Sequence, residues 1–556
     1  MYKKHVNKYT RVLCLLSAMM LMMACLDDDG GSKLPKEVLK VYPDSIQLSD
    51  QEQEFSIHIE CDDYWGMKWD WDADWLNIDK YHGHGDCEVT VKCTRNMTEK
   101  DRHMVISIKT NADLEKTITV LQKGRPLDKA QLVNHRAVLG NLAKNEQSYL
   151  EMTFDKPVTL KGFSPSGPTG STPEYSDDRC TIRYPFPRAR WGLVQVIKAE
   201  VASDDGGLTE CELEYRFYDK RYQVEGQIWG AQVMPDEKSV WLALRWPVKL
   251  IELSLIDGTI LHEVDMPFAP AKICFNPYNN LLYVLPDNFI ADFFDNSLCV
   301  VDPKSGEITK TITFQPSSKT HPQYPAIYPY ELAFTSDGFG VVMLCAKGAD
   351  ELEWRYVDSK INDRVIITDY ERSQYRCEHV YQGCNQESLY MNPYPSIFYN
   401  IYKITRRRRD PKTIGINSRF KSTYEYAGGN LAGMLYHRYR NSVFIATYPG
   451  CQCVVNLDDM TYSEVTGAES RGALAAWDYS DPSRNLVYFV GGFADPQIDQ
   501  HQFLLLDMDK ADCIFRSYCI WNDDNLCSIV HIVNSDQLLI VDRYQGLYFL
   551  PAFEMK

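Results

Sequence analysis

The feature that most constrains the fold of this chain is a recurring pattern in residues 223–556. Short apolar runs there each follow a cluster of turn-forming residues such as Asn, Asp, Gly and Pro. A run of this length between turns indicates a β-strand, and a run that is apolar throughout indicates a strand covered on both faces. Six such runs recur: Ser239–Leu244, Leu281–Leu285, Gly340–Leu344, Ser442–Ala446, Leu486–Val490 and Leu538–Val541.

Further strands flank each apolar run. Ala271–Phe275 precedes the second run, and Lys304–Thr309 makes a turn into a fourth strand after Asp302. Four strands joined by short turns are the unit of a β-propeller blade. The predicted third strands end near Asp or Asn: Leu298–Asp302, Val365–Asp369, Val454–Leu457 and Phe503–Asp507.

The spacing of the six runs predicts the number of blades. Their starts lie near residues 240, 281, 340, 442, 486 and 538, at intervals of 41, 59, 102, 44 and 52. Because 102 is about two normal intervals, a further blade is predicted near Ile397–Ile401, which favours seven blades, with six or eight as the alternatives. A strand within Arg221–Gly226 is expected to complete the last blade. In this repeat form the segment resembles the YVTN-like and quinoprotein-like propellers.

Residues 37–125 show the alternation of a β-sandwich. Apolar and polar residues alternate in four runs separated by turn residues, which is typical of an antiparallel sandwich. The runs are Glu54–Ile59, Cys87–Val91, Met104–Ile108 and Thr117–Leu121.

Specific residues in this segment carry a family resemblance. They are Trp69, Trp75, Leu76, Gly85, Val89, Val91, Asn96, Arg102 and Val120–Gly124 (VLQKG). In these positions the segment resembles the BACON domain, an immunoglobulin-like module of Bacteroidetes surface proteins. The resemblance implies association with carbohydrate-active proteins, and it implies that Trp75 and one of Trp65 or Trp69 are core residues.

Residues 130–222 are predicted to form a second small β-sandwich. Ser148–Phe154, Cys180–Tyr184 and Glu212–Tyr218 alternate as strands, and Asp204–Gly207 is a turn cluster. The fold class expected for the whole chain is therefore all-β, with two sandwiches followed by a propeller.

The first 36 residues are expected to direct the chain to a membrane. A leader with four basic residues precedes the apolar run Val12–Ala24, which is too short to span a bilayer and is typical of a signal peptide, residues 1–24. Ala24-Cys25 resembles the end of a bacterial lipobox, which implies lipidation of Cys25; an ordinary secretory leader with a chance cysteine is the alternative. In residues 25–36 the acidic run Asp27–Asp29 resembles the export signal of Bacteroidetes surface lipoproteins. A solvated linker is the alternative, and outer-membrane anchoring with surface exposure is the expectation.

The charge balance opposes nucleic-acid binding. Removal of residues 1–24 leaves 55 basic and 76 acidic side chains, a net charge of −21. Binding to nucleic acid depends on neutralising phosphate groups, so no nucleic-acid partner is expected. The single basic cluster, Arg406–Arg409, is interpreted as a solvated loop, with a polyanion site as the alternative.

No catalytic motif is present in the sequence. A Gly-rich phosphate loop, a Gly-x-Ser-x-Gly elbow and a His-Glu-x-x-His pair are all missing. His82-Gly83-His84 has metal-ligand residue types but too few ligands for a zinc site, and it is interpreted as a loop. We therefore expect no catalytic residues, metal or cofactor. The scattered cysteines are interpreted mostly as core residues rather than as a disulfide framework.

A few aromatic and polar residues are candidates for ligand binding. Trp71 is a candidate platform for stacking on a glycan, although a spacer role is favoured for its domain. In the propeller, the predicted insertions are Pro286–Asn296, Lys347–Asn362 and Gly491–Gln500. Their candidate residues are Asn288, Phe293, Phe294, Trp354, Tyr356, Phe493 and Asp495.

The preferred function is a lipid-anchored binding protein whose propeller takes a glycan or a protein ligand. The alternatives are a propeller hydrolase or lyase that acts on a polysaccharide, since carboxylate pairs suited to glycoside cleavage could form in space, and a scaffold of a nutrient-uptake complex.

Overall fold

The computed structural model describes most of the chain from residue 38 onward. It covers residues 38–165, 171–186, 189–288, 295–317, 326–345, 353–367, 376–382, 388–394, 400–405, 412–415, 430–437, 439–448, 451–458, 461–465, 471–481, 483–492, 501–522 and 525–551. Within these ranges the chain is all-β, and its only helical segments are two 3₁₀ turns, Leu142–Lys144 and Ser359–Ile361. No helix in the described ranges has the length and apolar character needed to cross a membrane. The chain divides into two compact units, one ending at Leu127 and the other beginning at Asp128.

The first unit is a β-sandwich, as predicted. Its described strands are β1 (Leu39–Tyr42), β2 (Ser45–Leu48), β3 (Gln53–Cys61), β4 (Tyr64–Lys68), β5 (Leu76–Ile78), β6 (His82–His84), β7 (Cys87–Cys93), β8 (Arg102–Thr110) and β9 (Glu115–Gln122). One sheet has the order β1-β3-β7-β5 and the other has the order β2-β9-β8-β4-β6. Strands β2 and β9 pair in parallel, and the other pairs are antiparallel.

The core of this sandwich follows from the alternation of its strands. Inward residues such as Ile57, Val89 and Ile106 are fully buried between the sheets. Trp65 and Trp75 also lie in this core, which confirms the burial implied for Trp75 and for one of Trp65 or Trp69. Buried Trp side chains remove large apolar surfaces from water and so dominate the stability of a small core.

The second unit begins with another small sandwich. Its strands are β10 (Leu132–Val138), β11 (Tyr149–Phe154), β12 (Val158–Ser164), β13 (Glu174–Tyr175), β14 (Thr181–Pro185), β15 (Val194–Ser203) and β16 (Leu208–Arg216). They form a four-stranded sheet, β10-β11-β14-β13, and a three-stranded sheet, β12-β15-β16. Leu150, Ile197 and Val201 are fully buried within the apolar cluster that both sheets share.

The rest of the second unit consists of four-stranded sheets. Their strands are β17 (Lys220–Tyr222), β18 (Gln227–Val233), β19 (Ser239–Trp246), β20 (Lys249–Ser254), β21 (Ile260–Asp265), β22 (Pro270–Asn276), β23 (Leu281–Pro286), β24 (Ser297–Asp302), β25 (Glu307–Thr313), β26 (Tyr328–Phe334), β27 (Phe339–Cys345), β28 (Glu353–Asp358), β29 (Arg364–Ile367), β30 (Arg376–Gln382), β31 (Ser388–Tyr394), β32 (Asn400–Thr405), β33 (Lys412–Gly415), β34 (Asn430–Tyr436), β35 (Ser442–Tyr448), β36 (Cys451–Asn456), β37 (Tyr462–Val465), β38 (Arg471–Trp477), β39 (Leu486–Gly492), β40 (His501–Asp507), β41 (Asp512–Tyr518), β42 (Leu526–Ile532), β43 (Gln537–Asp542) and β44 (Gly546–Pro551).

These strands form a closed seven-bladed β-propeller within the part of the chain that the structure describes. Six blades are consecutive quartets from β18 to β41, and the seventh has the order β17-β44-β43-β42. The first strands of neighbouring blades contact one another around the whole ring, and β42 contacts β18. The apolar runs are the second strands, and where the burial of their residues is described they are covered on both faces, as predicted.

Three details of the predicted propeller needed correction. The blade expected near Ile397–Ile401 has Ser388–Tyr394 as its second strand, so the apolar run chosen from the sequence overlaps its third strand instead. The run Val365–Asp369 overlaps the fourth strand of its blade, because β28 is the third. The closing strand is Lys220–Tyr222, and only Arg221 and Tyr222 lie within the predicted range.

Closure of the ring joins distant parts of the sequence. Arg221 pairs with Tyr548 in the seventh blade, so the residues just after the second sandwich complete the sheet begun by the last strands. Gly546 makes this approach possible, because a Cβ atom there would lie 2.2 Å from the carbonyl oxygen of Tyr222. The predicted domain boundary between residues 222 and 223 therefore assigns the closing strand Lys220–Tyr222 to the second sandwich, although it belongs to the seventh blade of the propeller.

The second sandwich is fixed to the sixth blade. The backbone amide of Trp191 donates to the carbonyl of Tyr518 at 2.9 Å, and the amide of Ile520 donates to the carbonyl of Trp191 at 3.1 Å. The side chain of Asn141 both donates to Ile514 and accepts from the amide of Arg516. These bonds explain why the second sandwich and the propeller, predicted as separate domains, form one compact unit.

Candidate functional site

The most exposed tryptophan of the described chain lies in the first unit, at Trp71. Its side chain is 63% exposed and packs against the ring of Trp69, with ring centroids 4.0 Å apart. The edge of Tyr81 meets Trp71 at 5.9 Å, and Tyr81 in turn contacts His82 at 4.8 Å. We call the group of Trp69, Trp71, Tyr81 and His82 the Trp71 surface.

A short turn holds Trp71 out of the core. The backbone amide of Asp72 donates to the carboxylate of Asp70 at 3.1 Å, and the amide of Ala73 donates to the carbonyl of Asp70 at 3.2 Å. The turn brings Trp71 against Trp69, which packs on the core and is half-buried. The conformation of the exposed ring is therefore set before any ligand arrives, and this lowers the entropy cost of binding.

The sheet beneath this surface is organised around Trp65. Its indole nitrogen donates to the carbonyl of Gly85 at 3.0 Å, and its ring lies under Gly83, where a Cβ atom would approach to 2.5 Å. Glycine at residue 83 thus lets β6 lie flat on the buried indole. The neighbouring residues His82 and His84 point to the opposite, exposed face.

The structure corrects the prediction for His82-Gly83-His84. These residues form the edge strand β6, paired with β4, rather than a loop. His84 contacts the ring of Tyr64 at 4.5 Å, which extends the exposed aromatic area along the same edge. Among the residues that the structure describes, no group of three or more His, Cys, Asp or Glu side chains could hold a metal ion.

The charge around Trp71 is acidic. Asp70, Asp72 and Asp74 are exposed on the turn that carries the ring. Carboxylate oxygens only accept hydrogen bonds when ionised, so they match a ligand that presents hydroxyl groups. An exposed aromatic ring flanked by hydrogen-bond acceptors is suited to a polar ligand that also has an apolar face.

Each predicted propeller insertion includes a connection from a second strand to a third strand. Every blade repeats the same strand order, so these connections lie on a single face of the ring. Asn288, at the base of the first connection, is buried, and its amide nitrogen donates to the carbonyl of Pro329 at 2.7 Å. Asn288 therefore joins the second and third blades, and whether it also binds a ligand stays a prediction.

The other candidates are either strand residues or outside the described chain. Lys347–Asn362 is not a single insertion, because β28 lies within it. Trp354 and Tyr356 alternate on β28 and are buried, at 6% and 2% exposed, among apolar residues of the same blade. They were assigned to a loop because the sequence pattern did not reveal this third strand. The positions of Phe293, Phe294, Phe493 and Asp495 lie outside the described residues.

A common irregularity lies near the start of every first strand that the structure describes. The register between the first and second strands shifts within the first few residues in all seven described blades, as a β-bulge does. In the first blade the shift falls at Trp229. Gly230 follows it, because a Cβ atom there would lie 2.1 Å from the carbonyl oxygen of Ala271 in the next blade.

The bulge places Trp229 among charged residues from three blades. The guanidinium carbon of Arg543 lies 4.4 Å from the centroid of the Trp229 ring, and that of Arg245 lies 4.8 Å from it. The Nε atom of Arg245 is 3.7 Å from a carboxylate oxygen of the buried Asp287. We call Trp229, Arg245, Asp287 and Arg543 the Trp229 site.

The Trp229 site lies on the same face of the ring as the predicted insertions. First strands begin, and second strands end, on this face. The backbone of Arg543 also links the ring at its closure, since the amide of Ile228 donates to its carbonyl at 2.9 Å. The sequence did not single out these residues. The only signal that could have indicated them is the common position of Arg245, Asp287 and Arg543 at the ends of predicted second strands.

Comparison with known protein families gives a match within the first unit. Residues 60–123 match the family described as "BACON: Putative binding domain, N-terminal". The match covers less than half of the chain, so it describes the first unit alone. No curated protein sequence matches the chain.

Solved structures with similar folds have low sequence identity. Hydrazine synthase of Kuenenia stuttgartiensis is 11% identical, with 60% of this chain and 97% of that chain covered and a TM-score of 0.43. The dihydro-heme d1 dehydrogenase NirN is 12% identical, with 70% and 81% covered and a TM-score of 0.39. A GH5 xyloglucanase of Bacteroides ovatus, in complex with a heptasaccharide, is 17% identical over 16% and 20%, with a TM-score of 0.15. None of these scores reaches 0.5, so the propeller assignment rests on the sheet order of the chain itself.

Proposed function

We propose that this protein is a glycan-binding lipoprotein, anchored through Cys25 in the outer membrane and exposed on the cell surface. Its first unit contacts the glycan through the Trp71 surface, and its propeller presents a second face to ligand. The observation that carries the proposal is the preformed, exposed stack of Trp71 on Trp69.

The chemistry of the Trp71 surface favours a glycan over an apolar ligand. A sugar ring has an apolar face of C–H groups and an edge of hydroxyl groups. The exposed ring of Trp71 offers the apolar contact, and Asp70 and Asp72 beside it offer acceptors for hydroxyl groups. The BACON match of residues 60–123 to a binding-domain family supports the same role.

A binding experiment with single variants tests this role. The full chain is screened against neutral polysaccharides by affinity electrophoresis, and Trp71→Ala is compared with wild type on every polysaccharide that retains the protein. Removing an exposed aromatic anchor should weaken binding about tenfold. Tyr439→Ala, a truncation of an aromatic residue 57% exposed on the propeller, is the matched control and should bind as wild type does. Equal retention of the Trp71 variant and wild type would remove the glycan role from this surface.

The anchor is tested separately. In cells fed a labelled fatty acid, the wild-type chain should carry the label and Cys25→Ala should not. Acyl chains contribute roughly 0.8 kcal/mol per buried methylene, so the variant should leave the membrane fraction. Protease added to intact cells should digest the wild-type chain if it is displayed outside. Protection from protease would contradict surface exposure while leaving the anchor intact.

A further inference from the structure

The Trp229 site contains buried hydrogen-bond donors that lack an acceptor. Among the described residues, the Nε1 atom of Trp229 and the Nε atoms of Arg245 and Arg543 are buried without a hydrogen-bond partner. Buried polar groups in proteins are nearly always paired, because an unpaired donor loses its bond to water without compensation. Three such donors, from the first and the seventh blade, occur together in this one cluster.

The two arginines are held where they are by other contacts. Both guanidinium groups lie close to the Trp229 ring, a favourable cation–π arrangement. The side chain of Arg245 is only 12% exposed, and Asp287 is nearby, although 3.7 Å is too long for a hydrogen bond. Positioned but incompletely bonded guanidinium groups are a preorganised binding arrangement.

One oxygen of the neighbouring carboxylate of Asp542 is already engaged, and the other, Oδ2, is buried without a hydrogen-bond partner among the described residues. The engaged oxygen accepts from the backbone amides of Tyr544 and Gln545, each at 2.9 Å, and so stabilises the turn that carries Arg543. Its role is to shape the turn. The unpaired donors of Trp229, Arg245 and Arg543 remain.

The class of ligand follows from these groups. The ring of Trp229 is in contact with two cations, so it is poorly placed to stack on a neutral sugar. The cluster offers N–H donors and two guanidinium charges, which the carboxyl groups of Asp287 and Asp542 offset in part. Guanidinium groups bind carboxylate and sulfate oxygens through short, charge-assisted hydrogen bonds.

We propose that the Trp229 site binds an oxyanion, the carboxylate or sulfate group of an acidic ligand, at the face of the propeller where second strands end. This proposal rests on the proposed function, in which a face of the propeller binds a ligand, and it specifies the chemical class of that ligand. It is independent of the Trp71 surface, because no residue is shared.

Calorimetric titration of the full chain tests the proposal. The probes are galacturonate, its neutral counterpart galactose, and inorganic sulfate, at constant ionic strength. Galacturonate or sulfate should bind with a dissociation constant below about 10 mM, and galactose at least tenfold more weakly. The tighter of the two anions identifies whether the carboxylate or the sulfate is the natural group. Absence of binding by both anions would overturn the proposal.

Variants connect binding to the named groups. Arg543→Gln should weaken anion binding about tenfold or more, the effect of losing one charge-assisted hydrogen bond. Arg484→Gln is the matched control, because Arg484 lies on the opposite face, in the turn between β38 and β39, and is half-exposed. Its affinity should stay within about twofold of wild type.

Trp229→Phe distinguishes a loss of ligand binding from a loss of folding. It keeps an aromatic ring beside both guanidinium groups but removes the Nε1 hydrogen, so it should fold and still lose affinity. Wild-type affinity in both Trp229→Phe and Arg543→Gln would overturn the proposal. Trp71→Ala should bind galacturonate or sulfate as wild type does, so failure of the glycan role and failure of the anion site can be told apart.

Discussion

The Trp71 surface and the Trp229 site are both built on tryptophan, but they present opposite parts of the ring. Trp71 has its face exposed and acidic residues beside it. Trp229 has two guanidinium groups against its ring and an indole N–H without a partner. The same side chain is therefore suited to stacking in the first case and to hydrogen bonding in the second, and its neighbours decide which.

The two sites also differ in how they are assembled. All residues of the Trp71 surface lie within 14 positions of one another, from Trp69 to His82. Arg245 and Arg543 of the Trp229 site are about 300 positions apart and meet only because the ring closes. The first site should persist if the propeller is damaged, whereas the second should not.

The largest expected effect is the difference in the free energy of unfolding between substitution of the buried Trp65 and substitution of the exposed Trp71 in the first unit. Trp65→Ala removes a ring that is 3% exposed and should lower the free energy of unfolding by about 3–5 kcal/mol. Trp71→Ala should change it by less than about 0.5 kcal/mol. Urea denaturation of both variants measures the difference. A large loss in Trp71→Ala would show that Trp71 is a structural residue and weaken its assignment as a binding residue.

A smaller effect tests the close packing beside Trp229. Gly230→Ala places a Cβ atom 2.1 Å from a backbone oxygen of the next blade and should destabilise the chain by about 1–3 kcal/mol. Gly66→Ala in strand β4 of the first unit is the matched control, since nothing lies within 4 Å of its Cβ position. Thermal melting of both variants checks this. If Gly230→Ala melts like Gly66→Ala, the inner strands of the ring are not in close contact.

The smallest expected effect is a change in the pH dependence of the free energy of unfolding, caused by Asp542 in the turn that carries Arg543. Burial raises the pKa of Asp542 above its ordinary value of 3.8, despite opposing backbone hydrogen bonds and nearby arginines. The folded state then holds this proton more tightly than the unfolded state, so the ionised group costs stability as pH rises from 3.8 through the raised value. Asp542→Asn stays neutral and keeps an acceptor oxygen. Relative to wild type, it should gain stability as pH rises from 3.8 through the raised pKa of Asp542, by less than the glycine effect.

An exposed aspartate provides the control of opposite sign. Hydrogen bonds from the hydroxyl of Ser254 and from Thr259 lower the pKa of Asp257 below 3.8. The ionised form of Asp257 therefore stabilises the fold above pH 3.8, and this contribution is lost as the pH falls through the lowered pKa. Asp257→Asn should therefore lose stability relative to wild type as pH rises. Unfolding by urea at several pH values measures both slopes. Slopes of the same sign would contradict the burial assigned to Asp542.

Much of the fold could be predicted from local pattern. Alternation identified the sandwich strands, because side chains in a strand point to opposite faces with a period of two. Spacing of the apolar runs indicated seven blades, since each blade repeats one unit. The sequence pattern does not predict the third strand of the third blade, because it places Trp354 and Tyr356 in a long insertion. In the structure these residues lie on β28, which pairs with the fourth strand β29.

The candidate sites were less predictable than the fold. Trp71 could be chosen because its neighbours in sequence are also its neighbours in space. The residues of the Trp229 site could not, since a contact between positions 229 and 543 has no local signature. The buried role of Asn288 was also hidden, because its partner Pro329 belongs to the next blade.

The sequence by itself predicted most of the strands and their grouping into two sandwiches and a seven-bladed ring, because hydrophobic alternation and turn chemistry act over a few residues. The family resemblance implied burial of Trp75 and of one of Trp65 or Trp69. Only the tertiary structure decided which charged groups surround Trp229. Ring closure brings the ends of the propeller together, and electrostatic and hydrogen-bonding partners depend on distance in space rather than along the chain.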